Sequence, residues 1–331
     1  MSNQGLYSVS DASRLIEKGR TLLVAGDESL LQQLPKGKWI GGTSTNFMTP
    51  DGGEARRDKV FVSDITDQVE SAEVRSYSAS ELRRIAADYP ENGFTVLNVP
   101  ALGELHSTFA KEVQTYDGVF HSPLYGWISG VDVSEIGKRA PKTFAGDGTP
   151  LGERASALHV TLPAGKAAKI DIINLFAQGD GAEIEFAVDG FESKGDCLID
   201  GKPGNLASFI AANKIDVKLP LVADYQGAMV NVSLREVDPA AGKTMFYAPV
   251  FKGVKYKFAA PAPDYTGEFA RRLATIGTNS IALSCNCILN YLYAELEGKK
   301  TGPIVGPITF GEIAYILLNQ TLVYLSIESV G

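Results

Sequence analysis

The sequence predicts a mixed α/β fold in a two-part architecture, with mixed sheets flanked by helices. Three observations predict it: a length of 331 residues, a first segment in which strands alternate with helices, and a second in which strands follow one another. The chain is 44% hydrophobic and 21% charged. This ordinary globular composition can fill a sizeable core without disulfides or metal.

In the first segment, a helix is predicted over residues 8–19, because Ser8 or Ser10 can cap it and Gly19 can end it. A second helix is predicted over residues 79–89, where Leu82 and Ile85 share one face. Short apolar runs between and around these helices predict buried strands, at residues 21–25, 39–40, 59–62 and 94–99.

From about residue 158 the pattern changes to consecutive strands with turn residues between them. The predicted strands there cover residues 158–162, 169–176, 183–188, 229–237 and 244–258. The last segment is predicted as helix, strand, helix and two strands, at residues 265–276, 280–283, 286–296, 308–314 and 321–327. We expect two domains, residues 1–190 and 191–331.

Composition argues against several classes of partner. The formal net charge of −8 makes nucleic acid or an anionic membrane surface a poor match. No stretch approaches the 18 apolar residues that a membrane helix requires. The N-terminus lacks a basic and apolar targeting segment, and three cysteines are an odd number for a disulfide framework. These features predict a cytoplasmic protein.

The first candidate ligand site follows the apolar strand at residues 39–40. We interpret Gly41-Gly42-Thr43-Ser44-Thr45 as a turn, in which two glycines expose backbone N–H groups and three hydroxyls add donors and acceptors. Such a turn can bind a carboxylate or phosphate. The alternative is a tight turn whose hydroxyls bond only to the backbone.

Further candidate ligand contacts lie near the C-terminus, and each has a structural alternative. Cys285 and Asn286 lie at a predicted strand-to-helix junction. The thiol of Cys285 could be reactive or contact a ligand there. The alternative is a buried, inert cysteine. Glu312 follows Gly311 among apolar residues and could hold an ammonium or an arginine, or face water. The last candidates are Asn319 and Thr321, which alternation along a strand would place on one face and so in one pocket. The alternative is a turn that leads into the last strand.

Three segments and a bridge together resemble one known family, which covers nearly the whole chain. They are residues 39–62 with Gly-Gly-Thr-Ser-Thr and Glu54, residues 122–162 with Pro123-Leu124-Tyr125-Gly126 and Gly146-Asp147-Gly148, the C-terminal Ser284-Cys285, Gly311-Glu312 and Asn319 to Leu322, and the bridge Ile199 to Pro203. In order and spacing these motifs resemble the FIST family of bacterial sensory domains. The resemblance implies N-terminal and C-terminal sensory parts, a role in signal transduction, and small ligands such as amino acids.

The expected function is therefore non-enzymatic binding of a small ligand, an amino acid or another small organic anion, in a sensory module with no cofactor. Because the chain ends at Gly331 directly after the last predicted strand, we expect a stand-alone module that signals to a separate protein. Two alternatives remain open. One is a haem-binding gas sensor, for which an axial ligand would come from His106, His121 or His159. The other is a thiol-dependent enzyme that uses Cys285.

Overall fold

The computed structural model describes residues 4–195, 197–225, 227–261, 264–275, 281–302 and 304–330. The protein is mixed α/β, with 43% strand and 20% helix, which confirms the predicted fold class. The chain divides into two units. Unit 1 contains residues 1–173, 269–317 and 322–331, and unit 2 contains residues 174–268 and 318–321.

The chain up to residue 173 contributes twelve strands and four α-helices in the described range. In order they are β1 (Gln4–Tyr7), α1 (Val9–Glu17), β2 (Leu22–Gly26), α2 (Glu28–Leu31), β3 (Trp39–Thr43), β4 (Asn46–Thr49), β5 (Gly52–Ala55), β6 (Val60–Asp64), β7 (Ser71–Tyr77), α3 (Ala79–Leu82), β8 (Gly93–Pro100), α4 (Glu104–Glu112), β9 (Leu124–Ser129), β10 (Thr143–Ala145), β11 (Ala155–Thr161) and β12 (Lys166–Ile173).

The rest of the chain continues this numbering. Its elements are β13 (Ile184–Phe186), β14 (Gly190–Ser193), β15 (Cys197–Ile199), β16 (Lys202–Gly204), α5 (Leu206–Asn213), β17 (Leu221–Tyr225), β18 (Ala228–Val232), β19 (Leu234–Asp238), β20 (Lys243–Val250), β21 (Lys255–Phe258), α6 (Tyr265–Ala274), β22 (Ile281–Cys287), α7 (Ile288–Tyr293), β23 (Gly306–Thr309), β24 (Glu312–Ala314), β25 (Ile316–Leu318) and β26 (Leu322–Ser329).

Unit 1 is built on three mixed sheets. Sheet I has the order β1-β6-β2-β3-β10, sheet II the order β25-β24-β9-β8-β11-β7, and sheet III the order β12-β26-β22-β23-β4-β5. Each sheet contains one parallel pair, β2 with β3, β8 with β9, and β22 with β23. The carboxyl ends of neighbouring parallel strands lie at one edge of a sheet, a common place for functional residues in α/β proteins.

The core beside sheet I explains why α1 forms where the sequence predicts it. Ser8 caps the helix by accepting a hydrogen bond from the Asp11 backbone N–H. The helix then buries Ala12 and Ile16 in a cluster that includes Trp39 and Phe144. An aromatic-to-alanine change in such a cluster costs about 3–5 kcal/mol, so this packing contributes far more stability than the cap.

Unit 2 contains two sheets, β16-β15-β13-β21-β17-β18 and β14-β20-β19. Its core is aromatic. Phe186 makes edge-to-face contacts with Phe246 and with Tyr256, at centroid distances of 5.6 and 5.5 Å. Asn205 caps α5 by accepting a hydrogen bond from the Ser208 backbone N–H.

Three local predictions are corrected or limited by the structure. Gly41-Gly42-Thr43 is the end of β3 and not a turn, since β3 pairs with β2 on one side and β10 on the other. The helix predicted over residues 79–89 ends at Leu82 and is followed by a 3-10 turn at Ile85–Asp88. The predicted ends at Ile276 and Ser280 lie outside the described residues. No helix in the described ranges is long and apolar enough to cross a membrane.

Candidate functional site

The backbone amides at the end of β3 are used by the fold. The N–H of Thr43 donates to the Lys142 carbonyl at 2.9 Å, and the N–H of Ser44 donates to the Gly26 carbonyl at 3.0 Å. The Ser44 hydroxyl donates to the Ile308 carbonyl at 2.6 Å, and the Thr45 hydroxyl to the side-chain oxygen of Asn46 at 3.2 Å. The groups expected to cradle an anion therefore join sheets I and III to each other.

Gly42 is required for close packing between sheets I and II. A Cβ built on Gly42 would lie 3.1 Å from the Trp127 indole nitrogen and would overlap the Ser129 hydroxyl. Gly41 is similarly confined, because a Cβ there would lie 2.7 Å from the Val24 carbonyl oxygen. Gly42 allows β3 to approach sheet II, whereas Gly41 fits against β2 within sheet I, and neither role needs a ligand.

Opposite β3, sheet II presents a row of polar side chains. Register pairing places Ser156, Asn98, Trp127 and Glu312 side by side across β11, β8, β9 and β24. Ser156 donates to the Gly41 carbonyl at 3.4 Å, and all four residues are buried. Both polar atoms of the Asn98 side chain and the Trp127 indole N–H lack a hydrogen-bond partner within the described chain.

Cys285 and Glu312 lie in a second buried cluster, with Tyr125 and Thr309. The Thr309 hydroxyl lies 3.4 Å from Glu312 Oε1, and the Cys285 thiol lies 3.5 Å from the Gly126 carbonyl. Burial, and then the nearby Glu312 carboxylate, raise the pKa of Cys285 well above its ordinary value. A thiol held protonated in this way is a poor nucleophile at neutral pH, which counts against the thiol-dependent alternative.

Asn286 connects these clusters to β3. It pairs with Ile308, whose carbonyl also accepts from Ser44, and its side-chain oxygen accepts from Asn290 at 2.9 Å. The structure therefore brings together the predicted residues that belong to unit 1, which are Gly42, Thr43, Ser44, Thr45, Cys285, Asn286, Gly311 and Glu312. They meet near the carboxyl ends of β3, β22 and β23.

Asn319 and Thr321 belong to unit 2, in the short segment 318–321. Within unit 2, Asn231 donates to the Asn319 carbonyl at 3.1 Å, and Ser233 donates to the side chain of Gln320 at 2.7 Å. Asn174 completes the network through an amide pair with Asn231 at 3.0 Å. These bonds hold the segment in its unit.

A small cavity lies next to the predicted residues of unit 1. The cavity beside them has a volume of about 10 Å³ and is lined by Leu23, Ala25, Phe61, Ser63, Tyr125, Trp127, Leu283, Ser284 and Pro307. A volume of this size accommodates roughly one water molecule. This cavity is therefore too small for an organic ligand.

A larger cavity lies along β7, an edge strand of sheet II. This cavity, the β7 cleft, has a volume of about 400 Å³ and is lined by Arg75, Ser76, Tyr77, Glu81, Arg84, Ala87 and Asp88. The volume is within the range of small-molecule sites. Residues of β7 form one wall of the cleft, and the segment 79–88 forms the other. This second segment begins with a capping box, in which the side chains of Ser78 and Glu81 each bond to the other residue's backbone N–H.

A chain of hydrogen bonds connects the β7 cleft to the core. The Tyr77 hydroxyl donates to Asp88 at 2.7 Å, so the Nε2 atom of His159, 2.7 Å away, must donate to Tyr77. The Nδ1 atom of His159 is then the acceptor for the Thr95 hydroxyl at 2.8 Å. This order of donors fixes one tautomer of His159 and holds Tyr77 and Asp88 in place.

The electrostatics of this chain follow from burial. Burial lowers the pKa of His159 to about 4, which keeps the ring neutral at pH 7. Burial, and then the bond to Asp88, raise the pKa of Tyr77. Because both ring nitrogens of His159 are hydrogen-bonded, an axial haem bond from this residue would break one of these contacts.

Arg84 lines the cleft and carries a positive charge that no described acid neutralises. Its side chain is exposed, and no acid in the described ranges pairs with it. By contrast, Arg75 pairs with Glu73 at 2.8 Å and with Asp88, and Glu81 pairs with Arg154 at 2.8 Å. Sequence reasoning missed this cleft, and the Ser78-x-x-Glu81 capping pattern was the one local sign of the turn that forms it.

The comparisons with known proteins correct the resemblance noted in the sequence. A family model described as a family of unknown function (DUF6976) matches residues 7–328, whereas no FIST model matches. The FIST motifs were short and rich in glycine, and here Gly41 and Gly42 serve strand packing. No curated protein matches the chain. The chain belongs to the family of unknown function DUF6976.

Proposed function

We propose that unit 1 binds a small organic anion in the β7 cleft, as a non-catalytic recognition module. The observation that carries the proposal is Arg84, an exposed guanidinium with no acidic partner in the described chain, on the wall of a cleft of about 400 Å³. The planar guanidinium can donate two parallel hydrogen bonds to a carboxylate.

The rest of the cleft supports the same function. Ser76 accepts a hydrogen bond from Arg154 at 3.3 Å, which leaves its own hydroxyl hydrogen free to donate to a ligand. Tyr77 and Asp88 are held by the chain to His159, so this wall needs little ordering when a ligand arrives. A pre-organised wall lowers the entropy cost of binding.

The proposal covers binding and not signalling. The sensory role and its separate signalling partner were implied by the FIST resemblance, and membership of a family of unknown function lends them no support. We also propose a cytoplasmic location, because an odd number of cysteines fits a reducing compartment better than a disulfide framework.

The test is a calorimetric titration of the purified protein with propionate and with succinate at low ionic strength. We compare the wild type with Arg84→Gln, and use Arg83→Gln as the matched control. Arg83 is the neighbouring exposed arginine, it pairs with Glu112, and it does not line the cleft. Loss of a charge-assisted contact should weaken binding about tenfold in Arg84→Gln.

Two results would overturn the proposal. One is that neither propionate nor succinate binds at millimolar concentration. The other is equal weakening in Arg84→Gln and Arg83→Gln, which would mean that the anions respond to general surface charge. Since exposed charges are screened by salt, binding should also weaken as ionic strength rises.

A further inference from the structure

The charges of the β7 cleft separate into a positive and a negative part. Arg84 carries one positive charge that no described acid compensates. Glu81 and Arg154 form a pair at 2.8 Å and cancel. The cleft therefore has one uncompensated cation on the wall formed by the turn after α3.

The negative part lies around Arg75. This single guanidinium pairs with two carboxylates, Glu73 and Asp88, so the group of three carries one surplus negative charge. Of the two acids, only Asp88 lines the cleft. Each oxygen of Asp88 accepts one hydrogen bond, from Arg75 and from Tyr77, and each has a further lone pair available.

Arg84 directly precedes the 3-10 turn, Asp88 is the last residue of that turn, and both line the β7 cleft. They are nevertheless not paired with each other. A molecule with adjacent opposite charges can satisfy both groups at once. A simple anion satisfies only Arg84.

Building on the proposed function, we infer that the ligand of the β7 cleft is a zwitterion of the α-amino acid class. Its carboxylate binds Arg84, and its ammonium group binds the free lone pairs of Asp88. The ammonium is a three-hydrogen donor, and charge-assisted bonds of this kind are stronger than neutral ones. The charged residues of the cleft and their ion-pair partners have a net charge of zero, which suits a ligand of zero net charge. They are Arg75, Arg84, Arg154, Glu73, Glu81 and Asp88.

The test uses matched ligands that differ only in the amino group, titrated into the wild-type protein by calorimetry. L-alanine is compared with propionate, and L-aspartate with succinate. We expect each amino acid to bind about tenfold more tightly than its matched acid. This comparison needs no variant, so it stands even if a substitution disturbs folding.

A variant then assigns the preference to Asp88. Asp88→Asn keeps the size of the side chain and an acceptor for Tyr77, and should bring the ratio of alanine to propionate affinity close to one. The control Asp117→Asn changes an exposed aspartate that does not line the cleft, and should keep the tenfold ratio.

The outcomes separate the inference from the proposal on which it rests. Equal affinity for alanine and propionate, with both weakened by Arg84→Gln, refutes the zwitterion and leaves anion binding intact. A tenfold preference that survives in Asp88→Asn also refutes the inference, because the ammonium would then bind elsewhere. Failure of every ligand to bind refutes both.

Discussion

Two buried histidines should make the protein lose stability between pH 7 and pH 5. Burial lowers the folded-state pKa of His159 and of His106 to about 4, from an ordinary value of 6.5. The unfolded chain therefore binds protons in this window that the folded chain does not. Stability present at pH 7 is lost as the pH falls through 6.5 towards 4, and this contribution levels off below both pKa values.

The magnitude follows from the two pKa values. Each pH unit of difference is equivalent to about 1.4 kcal/mol, and the part that falls between pH 7 and pH 5 is about 2 kcal/mol for each histidine. That is a large share of the 5–15 kcal/mol by which a typical domain is stable. Acidic side chains with lowered pKa values, such as Asp58 at about 2, lose their stabilising charge at lower pH.

The assay is urea unfolding followed by circular dichroism at pH 7 and at pH 5. His159→Gln should reduce the loss between the two pH values by about 2 kcal/mol. The control His121→Gln changes an exposed histidine and should leave the loss unchanged. For each protein we compare the change in the free energy of unfolding between pH 7 and pH 5. The absolute values are not compared, because loss of the bonds to Thr95 and Tyr77 also destabilises the variant at pH 7. An unchanged loss in His159→Gln would refute the reasoning.

Three further predictions concern buried residues. Gly42→Ala should destabilise unit 1 by about 1–3 kcal/mol, since the added methyl overlaps Ser129; an unchanged melting temperature would show that β3 can shift. Asn231→Ala should cost about 1–3 kcal/mol in urea unfolding, because the carbonyl of Asn319 loses a buried donor, and a neutral result would contradict the anchoring role. Cys285 should resist iodoacetamide in the native protein and react in urea; rapid native labelling would contradict its burial.

Local sequence signals predicted the elements whose determinants are local. Ser8 caps α1 and its apolar residues face one cluster, so that helix could be read directly. The segment Gly41 to Thr43 could not, because its strand character comes from pairing with β2 and with β10, which lies about a hundred residues further along the chain. Glycine pairs are typical of turns, and only the packing of Gly42 against Trp127 and Ser129 reveals its role in a strand.

The cleft was harder still to predict. Arg75, Arg84 and Asp88 are ordinary charged residues in the sequence, and a charge run usually means a solvated face. What sets them apart is which of them remain unpaired after folding, and that depends on Glu73, Tyr77 and the distant Arg154. The candidate residues of unit 1, including Cys285 and Glu312, lie near one another in the structure, and the small cavity next to them has room for roughly one water molecule.

The position of β26 has a consequence for synthesis on the ribosome. This strand pairs with β12 on one side and β22 on the other, yet it follows every other strand that the structure describes. Sheet III therefore cannot be completed until residues 322–329 have left the ribosomal exit tunnel. Until then β12 and β22 each present an open edge, so a nascent chain stalled earlier should expose both edges to chaperones and to aggregation.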